Sequence, residues 1–253
     1  MKRILTAAAL IPIAAYAVFW APYWAFLAIL AAVACLCYWE YDSIAAAFGF
    51  GAPGPLGYVF GLALLVWPGD LGLPLTIAAL VALAWGLRDQ VAQSLPRAGL
   101  LLMGIIYIFG SWRCTIPLRE HSHHWLMYAL ALNWVGDIGA YYIGRRFGRH
   151  KMAPQVSPNK SWEGAAASVA VSIVLAGGYL LYAVPGLPAW HIVLLTAAAN
   201  AAGQLGDLAE SAMKRGAGVK DSSAILPGHG GFLDRVDSTL FALPVVYAYL
   251  VLV

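Results

Sequence analysis

Charge is scarce in this sequence. Lys, Arg, Asp and Glu together make up 11% of the 253 residues, whereas soluble globular domains carry about 25%. Hydrophobic residues reach 62%, against roughly 45–50% in soluble domains. A chain this poor in charge lacks the polar surface of a soluble domain, and we therefore expect an integral membrane protein.

Cysteine is also rare, with three residues in the chain. Cys35, Cys37 and Cys114 all lie in apolar segments, and the first two are too close in sequence to share a helix face. We therefore expect buried, small hydrophobic side chains, and neither a disulfide framework nor a zinc site.

The sequence contains instead a series of apolar segments, most of them roughly 17–25 residues long, as transmembrane helices are. They predict an all-α fold, a polytopic transmembrane helical bundle of about nine helices. Met1, Lys2 and Arg3 precede the first segment, which we expect to be retained rather than cleaved as a signal peptide. The predicted helices cover residues 4–20, 23–39, 58–67, 71–87, 99–117, 125–143, 165–184, 190–205 and 239–253.

The positions of the basic residues predict the orientation of the bundle. With the N-terminus in the cytoplasm, all of the 15 Lys and Arg residues except Arg113 and Arg119 fall on the cytoplasmic side, as the positive-inside rule requires. The polar stretches 144–164 and 210–238 then share that side and can build one site. We expect a single integral membrane domain over residues 1–253, with N-terminal transmembrane helices at 1–132 and a C-terminal catalytic part at 133–253.

The stretch 206–238 concentrates charge in a chain that otherwise has little. Glycines and Pro227 break its middle, and apolar segments flank it on both sides. Carboxylates, cations and glycines this close together suggest metal-assisted chemistry on phosphate groups. The charged residues are Asp207, Glu210, Lys214, Arg215, Lys220, Asp221, Asp234, Arg235 and Asp237.

The first acidic residues of this stretch share one helix face if the preceding helix continues through them. Asp207, Glu210, Ser211 and Lys214 follow the spacing i, i+3, i+4, i+7. An Asp close to the membrane costs free energy unless it is paired or binds a cation. A salt-bridged helix end is therefore the alternative to a metal site here.

Asp234 and Asp237 lie three residues apart before the last predicted helix, with Arg235 between them. Acidic residues also cap the N-termini of helices, and capping does not exclude metal binding. Two acidic helix ends joined by a glycine-rich turn supply the oxygen ligands that Mg²⁺ prefers.

The turn 227–231 and the basic residues around it are candidates for phosphate binding. Its glycines permit positive φ angles and a close approach of the backbone to a ligand, and His229 lies among them. Positive-inside topology with contacts to lipid headgroups explains the basic residues equally well. These residues are Lys214, Arg215, Lys220 and Arg235.

A second polar block covers residues 136–164. Asp137 lies toward the end of a predicted helix, and we expect it to face the bundle interior. Lys160 lies in a turn from which its ammonium group can reach a nucleotide phosphate. Ser161 precedes a helix and an acidic residue, a pattern that is also typical of a helix N-cap.

Taken together, these segments resemble the phosphatidate cytidylyltransferase (CDP-diacylglycerol synthase) family over roughly residues 133–239. The upstream blocks of that family are similar to Asp137-Ile-Gly-Ala-Tyr-Tyr-Ile-Gly and Ser157-Pro-Asn-Lys160-Ser-Trp-Glu-Gly, in which Ser161 stands where the family often has Thr. The main signature is similar to Ser211-Ala-Met-Lys214-Arg215, Lys220-Asp221, Pro227-Gly228-His229-Gly230-Gly231 and Asp234-Arg235-Val236-Asp237.

The resemblance implies a CTP-dependent nucleotidyltransferase of phospholipid biosynthesis, which converts CTP and phosphatidate into CDP-diacylglycerol and pyrophosphate. It also implies a homodimer in the cell inner membrane, with its active site on the cytoplasmic face and no nucleic-acid partner. Mg²⁺ is the implied cofactor, with room for a second, monovalent cation, and Asp207 and Asp234 are the implied metal ligands. The implied catalytic residues are Asp207, Asp234, Lys214, Lys220, Asp221, Arg235 and Asp237. The implied substrate- and phosphate-binding residues are Asp137, Lys160, Ser211, Arg215, His229, Gly230 and Gly231.

Two alternatives remain open at the level of the sequence. A cytidylyltransferase acting on another lipid phosphate fits the same residues, because the lipid tails would be selected by apolar helix faces. An ion-coupled membrane transporter is the alternative from another functional class. The acidic residues lie at one predicted membrane face rather than across the midplane, which argues against an ion path.

Overall fold

The computed structural model describes residues 2–87, 91–226, 228 and 230–253, with side chains from residue 11 onward. The described residues are mainly helical and include one hairpin of two short strands. They form two compact units, each made of two chain segments. One unit runs to Arg113 and resumes at Met213–Arg235, and the other comprises Cys114–Ala212 and Val236–Val253.

The first unit contains the N-terminal helices and the charged loop that follows Gly216. Its helices are α1 (Lys2–Phe19), α2 (Tyr23–Ala45), α3 (Pro55–Val66), α4 (Gly72–Gly86), α5 (Ser94–Gly104) and α6 (Ser111–Arg113). A π-helical turn at Ala46–Phe50 extends α2, and another at Ile105–Gly110 joins α5 to α6. Apolar residues on α3, α4 and α5 pack together, among them Leu64, Ala82 and Leu101.

Small residues and aromatic hydroxyl groups bring the helices of this unit close together. A Cβ atom at Gly57 would overlap the Tyr38 side chain, so α3 approaches α2 only because a glycine stands there. The Tyr41 hydroxyl donates to the carbonyl of Leu100 over 2.8 Å and ties α2 to α5. The central part of α2 is therefore fixed by its neighbours.

The second unit contains α7 (Thr115–His121), α8 (His123–Phe147), β1 (Lys151–Ala153), β2 (Ser157–Ser161), α9 (Trp162–Ser172) and α10 (Gly178–Ala183). It also contains most of α11 (Ala189–Gly216) and α12 (Leu233–Leu252). Helices α8 and α9 pack closely, because a Cβ atom at Gly139 would lie only 2.7 Å from Val171 Cγ2. The buried Asn200 amide donates to Ser168 Oγ at 3.1 Å and Ser172 Oγ at 2.9 Å, which satisfies polar groups between the helices.

The predicted all-α class is confirmed, and each predicted apolar segment is helical in the described residues. Helix α11 continues through Asp207 and Lys214 instead of ending near residue 205. The side chains of these two residues therefore lie on one face of the helix, as their spacing predicts. Helix α12 begins at Leu233, which places Asp234 in its first turn. The β1–β2 hairpin was not predicted, because proline and basic residues in 144–164 indicated a loop. All three cysteines are free thiols; Cys37 is buried as predicted, whereas Cys35 and Cys114 are only partly buried.

Five helical segments of the described chain are long and apolar enough to cross a membrane. Helices α3 and α4 are apolar but shorter, with 12 and 15 residues. The chain is therefore a polytopic membrane protein, while the cytoplasmic N-terminus and the division at residue 132 stay predictions. The five spans are Tyr23–Phe50, Val91–His121, Trp162–Ala183, Ala189–Gly216 and Leu233–Leu252.

Candidate functional site

Asp207 and Lys160 form an ion pair in the second unit. Lys160 Nζ lies 2.6 Å from Asp207 Oδ2, and the Ser211 hydroxyl donates to Asp207 Oδ1 over 3.3 Å. Asp207 and Ser211 are one turn apart on α11, which brings their side chains together. The side chains of Lys160 and Asp207 are 25% and 35% exposed. The hairpin therefore places Lys160 on the acidic end of α11, where its Nζ is buried against Asp207 while the Asp207 side chain stays partly open.

Polar contacts at the base of the hairpin hold the strand that carries Lys160. Ser161 Oγ accepts the N–H of Gly164 at 3.2 Å, so Ser161 caps α9, as its position before a helix predicts. The Glu163 carboxylate accepts the N–H of His150 at 3.2 Å and lies 2.6 Å from its ring Nδ1. These bonds close the hairpin and fix where the Lys160 side chain leaves it.

Asp234 is the centre of a polar cluster in the first unit. Lys214 Nζ lies 2.5 Å from Asp234 Oδ1. The backbone N–H groups of Ser222 and Gly231 donate to Asp234 Oδ2 at 3.1 and 2.7 Å. The Asp234 and Lys214 side chains are only 3% and 10% exposed. Asp234 therefore joins the end of α11, the start of α12 and the loop between them.

The glycine turn adopts the backbone conformation that the sequence predicts. Gly228 and Gly230 have φ angles of 81° and 80°, in the region that favours glycine. The N–H of Leu226 donates to the Gly230 carbonyl at 2.9 Å and closes the turn. A Cβ atom at Gly230 would lie 2.5 Å from Asp234 Oδ2, so a side chain there would displace the carboxylate. The predicted contacts of His229 lie outside the described residues.

Glu40, near the C-terminal end of α2, is fully buried, and its carboxylate accepts four hydrogen bonds. Oε1 accepts the Ser223 hydroxyl at 2.5 Å and the Phe232 N–H at 2.9 Å. Oε2 accepts the Ser222 hydroxyl at 3.0 Å and the Leu233 N–H at 2.5 Å. We call these five residues the Glu40 cluster. Since Leu233 begins α12 and Phe232 directly precedes it, Glu40 caps that helix from a distant part of the chain.

Sequence reasoning missed the role of Glu40, which lies just beyond the predicted helix 23–39. Helix α2 continues to Ala45, so Glu40 lies inside an apolar helix. An acidic residue inside an apolar helix requires a partner, and this requirement is the signal by which the sequence could have indicated the role of Glu40. The partners Ser222 and Ser223 could not be read from the sequence, because they are 182 and 183 residues away.

The expectation that Asp137 faces the bundle interior is wrong, since the structure shows it exposed. Gly136 and Gly139 occupy the face of α8 that packs against α9, where a Cβ atom at Gly136 would lie 2.6 Å from Ser168 Oγ. One residue further along a helix turns the side chain by about 100°. Asp137 therefore points away from the packed face, and its predicted role in substrate binding stays a prediction.

The other predicted site residues differ in exposure. Asp237 is buried, and its Oδ1 accepts the N–H of Ser238 at 2.6 Å. The exposed Arg215 donates to the carbonyl of Val219 at 3.1 Å and holds the chain just after α11. Their catalytic and phosphate-binding roles stay predictions, as do those of three further exposed residues, Lys220, Asp221 and Arg235.

Asp207 and Asp234, the two carboxylates predicted to bind Mg²⁺, differ in how exposed they are to solvent. In the described residues, no group of three or more His, Cys, Asp or Glu side chains is arranged around a common point. Asp207 is 35% exposed and has the Ser211 hydroxyl beside it. Both carboxylates have partners at each oxygen, but only 3% of the Asp234 side chain is exposed. Because Mg²⁺ takes one or two carboxylates along with substrate phosphates, the more exposed Asp207 fits this ion better than Asp234.

Comparison with known proteins finds a family model that matches the whole chain and relatives that match part of it. The model of the "Cytidylyltransferase family" matches residues 1–253. A phosphatidate cytidylyltransferase of Staphylococcus saprophyticus is 36% identical over 186 residues, 73% of this chain and 72% of that protein. One of Bacillus subtilis is 38% identical over 178 residues, 69% of this chain and 66% of that protein. One of Staphylococcus haemolyticus is 37% identical over 186 residues, 73% of this chain and 72% of that protein.

Replacing Asp234 by Asn should loosen the loop between α11 and α12. Hydrogen bonds to a charged group stabilise by about 1.5–3 kcal/mol, so the amides of Ser222 and Gly231 should exchange hydrogen at least about tenfold faster. Exchange is measured by mass spectrometry in detergent. Asp70→Asn is the control, because Asp70 accepts the N–H of Gly72 in a separate turn. Unchanged exchange at Ser222 and Gly231 in Asp234→Asn would contradict the assignment.

Proposed function

The chain belongs to the cytidylyltransferase family, and from this we propose that it transfers CMP from CTP to phosphatidate, giving CDP-diacylglycerol and pyrophosphate. The observation that carries the proposal is the family match over residues 1–253. The relatives named phosphatidate cytidylyltransferase support the choice of lipid. The lysine–carboxylate pairs support chemistry on phosphate groups.

The reaction requires one polyanion to approach another. An oxygen of the lipid phosphate forms a bond to the α-phosphorus of CTP, and the bond from that phosphorus to the departing pyrophosphate breaks. The lipid phosphate is already anionic, so no strong general base is needed. Fixed cations lower the repulsion and align the attack, and they stabilise the charge that develops on pyrophosphate.

Lys160 is the cation of the second unit that is paired with a predicted metal ligand. A quarter of its side chain is exposed, but its Nζ is buried against Asp207. A phosphate of CTP can replace the carboxylate as the partner of Nζ, which releases the oxygens of Asp207. We propose that Asp207, with Ser211 beside it, holds Mg²⁺, which when bound supplies positive charge to the phosphate oxygens.

Lys214 supplies a more deeply buried cation in the first unit. Its ammonium group is held by Asp234, and the backbone amides of Ser222 and Gly231 hold the Asp234 carboxylate in place. Desolvation strengthens the attraction between such a cation and a phosphate. The exposed residues Arg215, Lys220 and Arg235 are further proposed phosphate contacts.

We propose that the reaction takes place at the cytoplasmic face of the cell inner membrane. The positions of the Lys and Arg residues support this orientation for a polytopic chain. A site at that boundary is open to CTP from the cytoplasm and to phosphatidate from the bilayer. The family resemblance supports a homodimer.

Purified protein should release pyrophosphate from CTP when phosphatidate and Mg²⁺ are both present. The release is measured with an enzyme-coupled pyrophosphate assay in detergent micelles, and omission of the lipid or addition of EDTA should abolish it.

A competition between lipid phosphates in the same assay tests which lipid is the acceptor. If the enzyme prefers a lipid phosphate without an acylglycerol backbone, the proposed substrate is wrong. Rapid ion flux in proteoliposomes without CTP or pyrophosphate release would favour a transporter.

Asp207→Asn and Lys160→Ala should each lower kcat/KM for CTP by about 100-fold or more. Removing one preorganised group that stabilises transition-state charge costs about 10²–10³-fold. The same pyrophosphate assay measures the effect, with folding checked by size-exclusion chromatography. Arg119→Ala is the control, since this residue is predicted to lie near the other membrane face. Near-normal release by Asp207→Asn would remove that residue from the site.

A further inference from the structure

Both ends of one loop are tied to a single carboxylate of the N-terminal half. The Ser222 and Ser223 hydroxyls at the start of the loop and the Phe232 and Leu233 amides at its end all donate to Glu40. In the sequence, the glycine turn at residues 227–231 lies between these two ends. Glu40 therefore closes the base of the loop that carries the turn.

The Glu40 cluster leaves little room for adjustment. A Cβ atom at Gly231 would lie 2.5 Å from Glu40 Oε1 and 2.7 Å from Oε2, so the carboxylate packs directly against the loop backbone. Glu40 and Gly231 are both buried. Because a buried carboxylate is costly unless its oxygens accept hydrogen bonds, any movement of the loop would leave charge unsatisfied.

Ser222 connects the Glu40 cluster to the pair formed by Asp234 and Lys214. Its hydroxyl donates to Glu40, and its backbone N–H donates to Asp234. Leu233 donates to Glu40 and directly precedes Asp234 in α12. A shift in the Glu40 contacts is therefore transmitted to the carboxylate that orients Lys214.

We propose that Glu40 is a positioning residue for nucleotide transfer, which holds the loop 222–233 so that Asp234 and Lys214 keep the geometry needed to receive phosphate. This inference rests on the proposed function of the chain. Glu40 itself touches no substrate and acts through Ser222 and Leu233. It makes an N-terminal helix, which lies outside the segments that resemble the family signature, part of the catalytic arrangement.

Glu40→Gln tests the proposal with the smallest change of shape. Its amide nitrogen cannot accept a hydrogen bond, so either the Phe232 or the Leu233 N–H loses its partner. KM for CTP should rise about tenfold or more, as when supporting hydrogen bonds of a site are removed, while KM for phosphatidate stays unchanged. Loss of folded protein alone would lower the apparent kcat and leave both KM values unchanged.

Asp42→Asn is the matched control, because Asp42 lies two residues further along α2 and also holds a backbone amide before a helix, the Gly54 N–H at 2.7 Å. It should change stability without changing KM for CTP. Should Glu40→Gln fail to fold, the double variant Ser222→Ala, Ser223→Ala removes two donors and keeps the carboxylate. It should raise KM for CTP by a smaller factor.

Hydrogen exchange at Gly231 provides a readout that does not depend on activity. This amide donates to Asp234 and not to Glu40, so faster exchange in Glu40→Gln, with no change in Asp42→Asn, supports transmission through the loop. Unchanged Gly231 exchange, or unchanged KM for CTP in an active Glu40→Gln enzyme, overturns the proposal. Wild-type protein that releases no pyrophosphate overturns the proposed function instead, and the Gly231 exchange then still decides whether Glu40 controls the loop.

Discussion

Buried charge must be satisfied within the protein, and this constraint determines the structure around the loop that joins α11 to α12. An ion removed from water costs several kcal/mol unless partners compensate for the lost hydration. Glu40 meets this requirement with two hydroxyls and two backbone amides, and Asp234 meets it with two amides and Lys214. A loop rich in glycine has few side chains that could hold it by apolar packing. Its position therefore depends on these two carboxylates.

Because buried charge must be satisfied within the protein, Glu40 and Asp234 have a different role from Asp207. Glu40 and Asp234 are buried with their oxygens occupied, which suits them to hold backbone and to orient a lysine. The Asp207 side chain is 35% exposed, and Lys160 Nζ is buried against it. Asp207 is therefore the carboxylate that a cation from solvent can reach, and a cation bound there would release Nζ to a phosphate. In the proposed reaction the partly exposed pair receives ligand and the buried pair keeps its geometry.

Local rules accounted for the parts of the structure that depend on neighbouring residues. The spacing of Asp207 and Ser211 predicted their common helix face, and the glycines of the turn predicted positive φ angles. The structure places Asp137 outside the packed face, because Gly136 and Gly139 are what α8 needs for contact with α9. Glu40 escaped detection because its hydrogen bonds join segments more than 180 residues apart. No local pattern encodes such a pairing.

The central claim is that a lysine held by a carboxylate becomes a contact of the CTP phosphates. The affinity of Lys160→Ala for CTP in the presence of Mg²⁺, measured by isothermal titration calorimetry, tests it most directly. The dissociation constant should rise about tenfold or more, because the phosphates lose the charged partner that Nζ supplies. Lys151→Ala, a change at an exposed lysine of the neighbouring strand, should leave the dissociation constant unchanged. Equal affinities of Lys160→Ala and the wild-type protein for CTP would contradict the account.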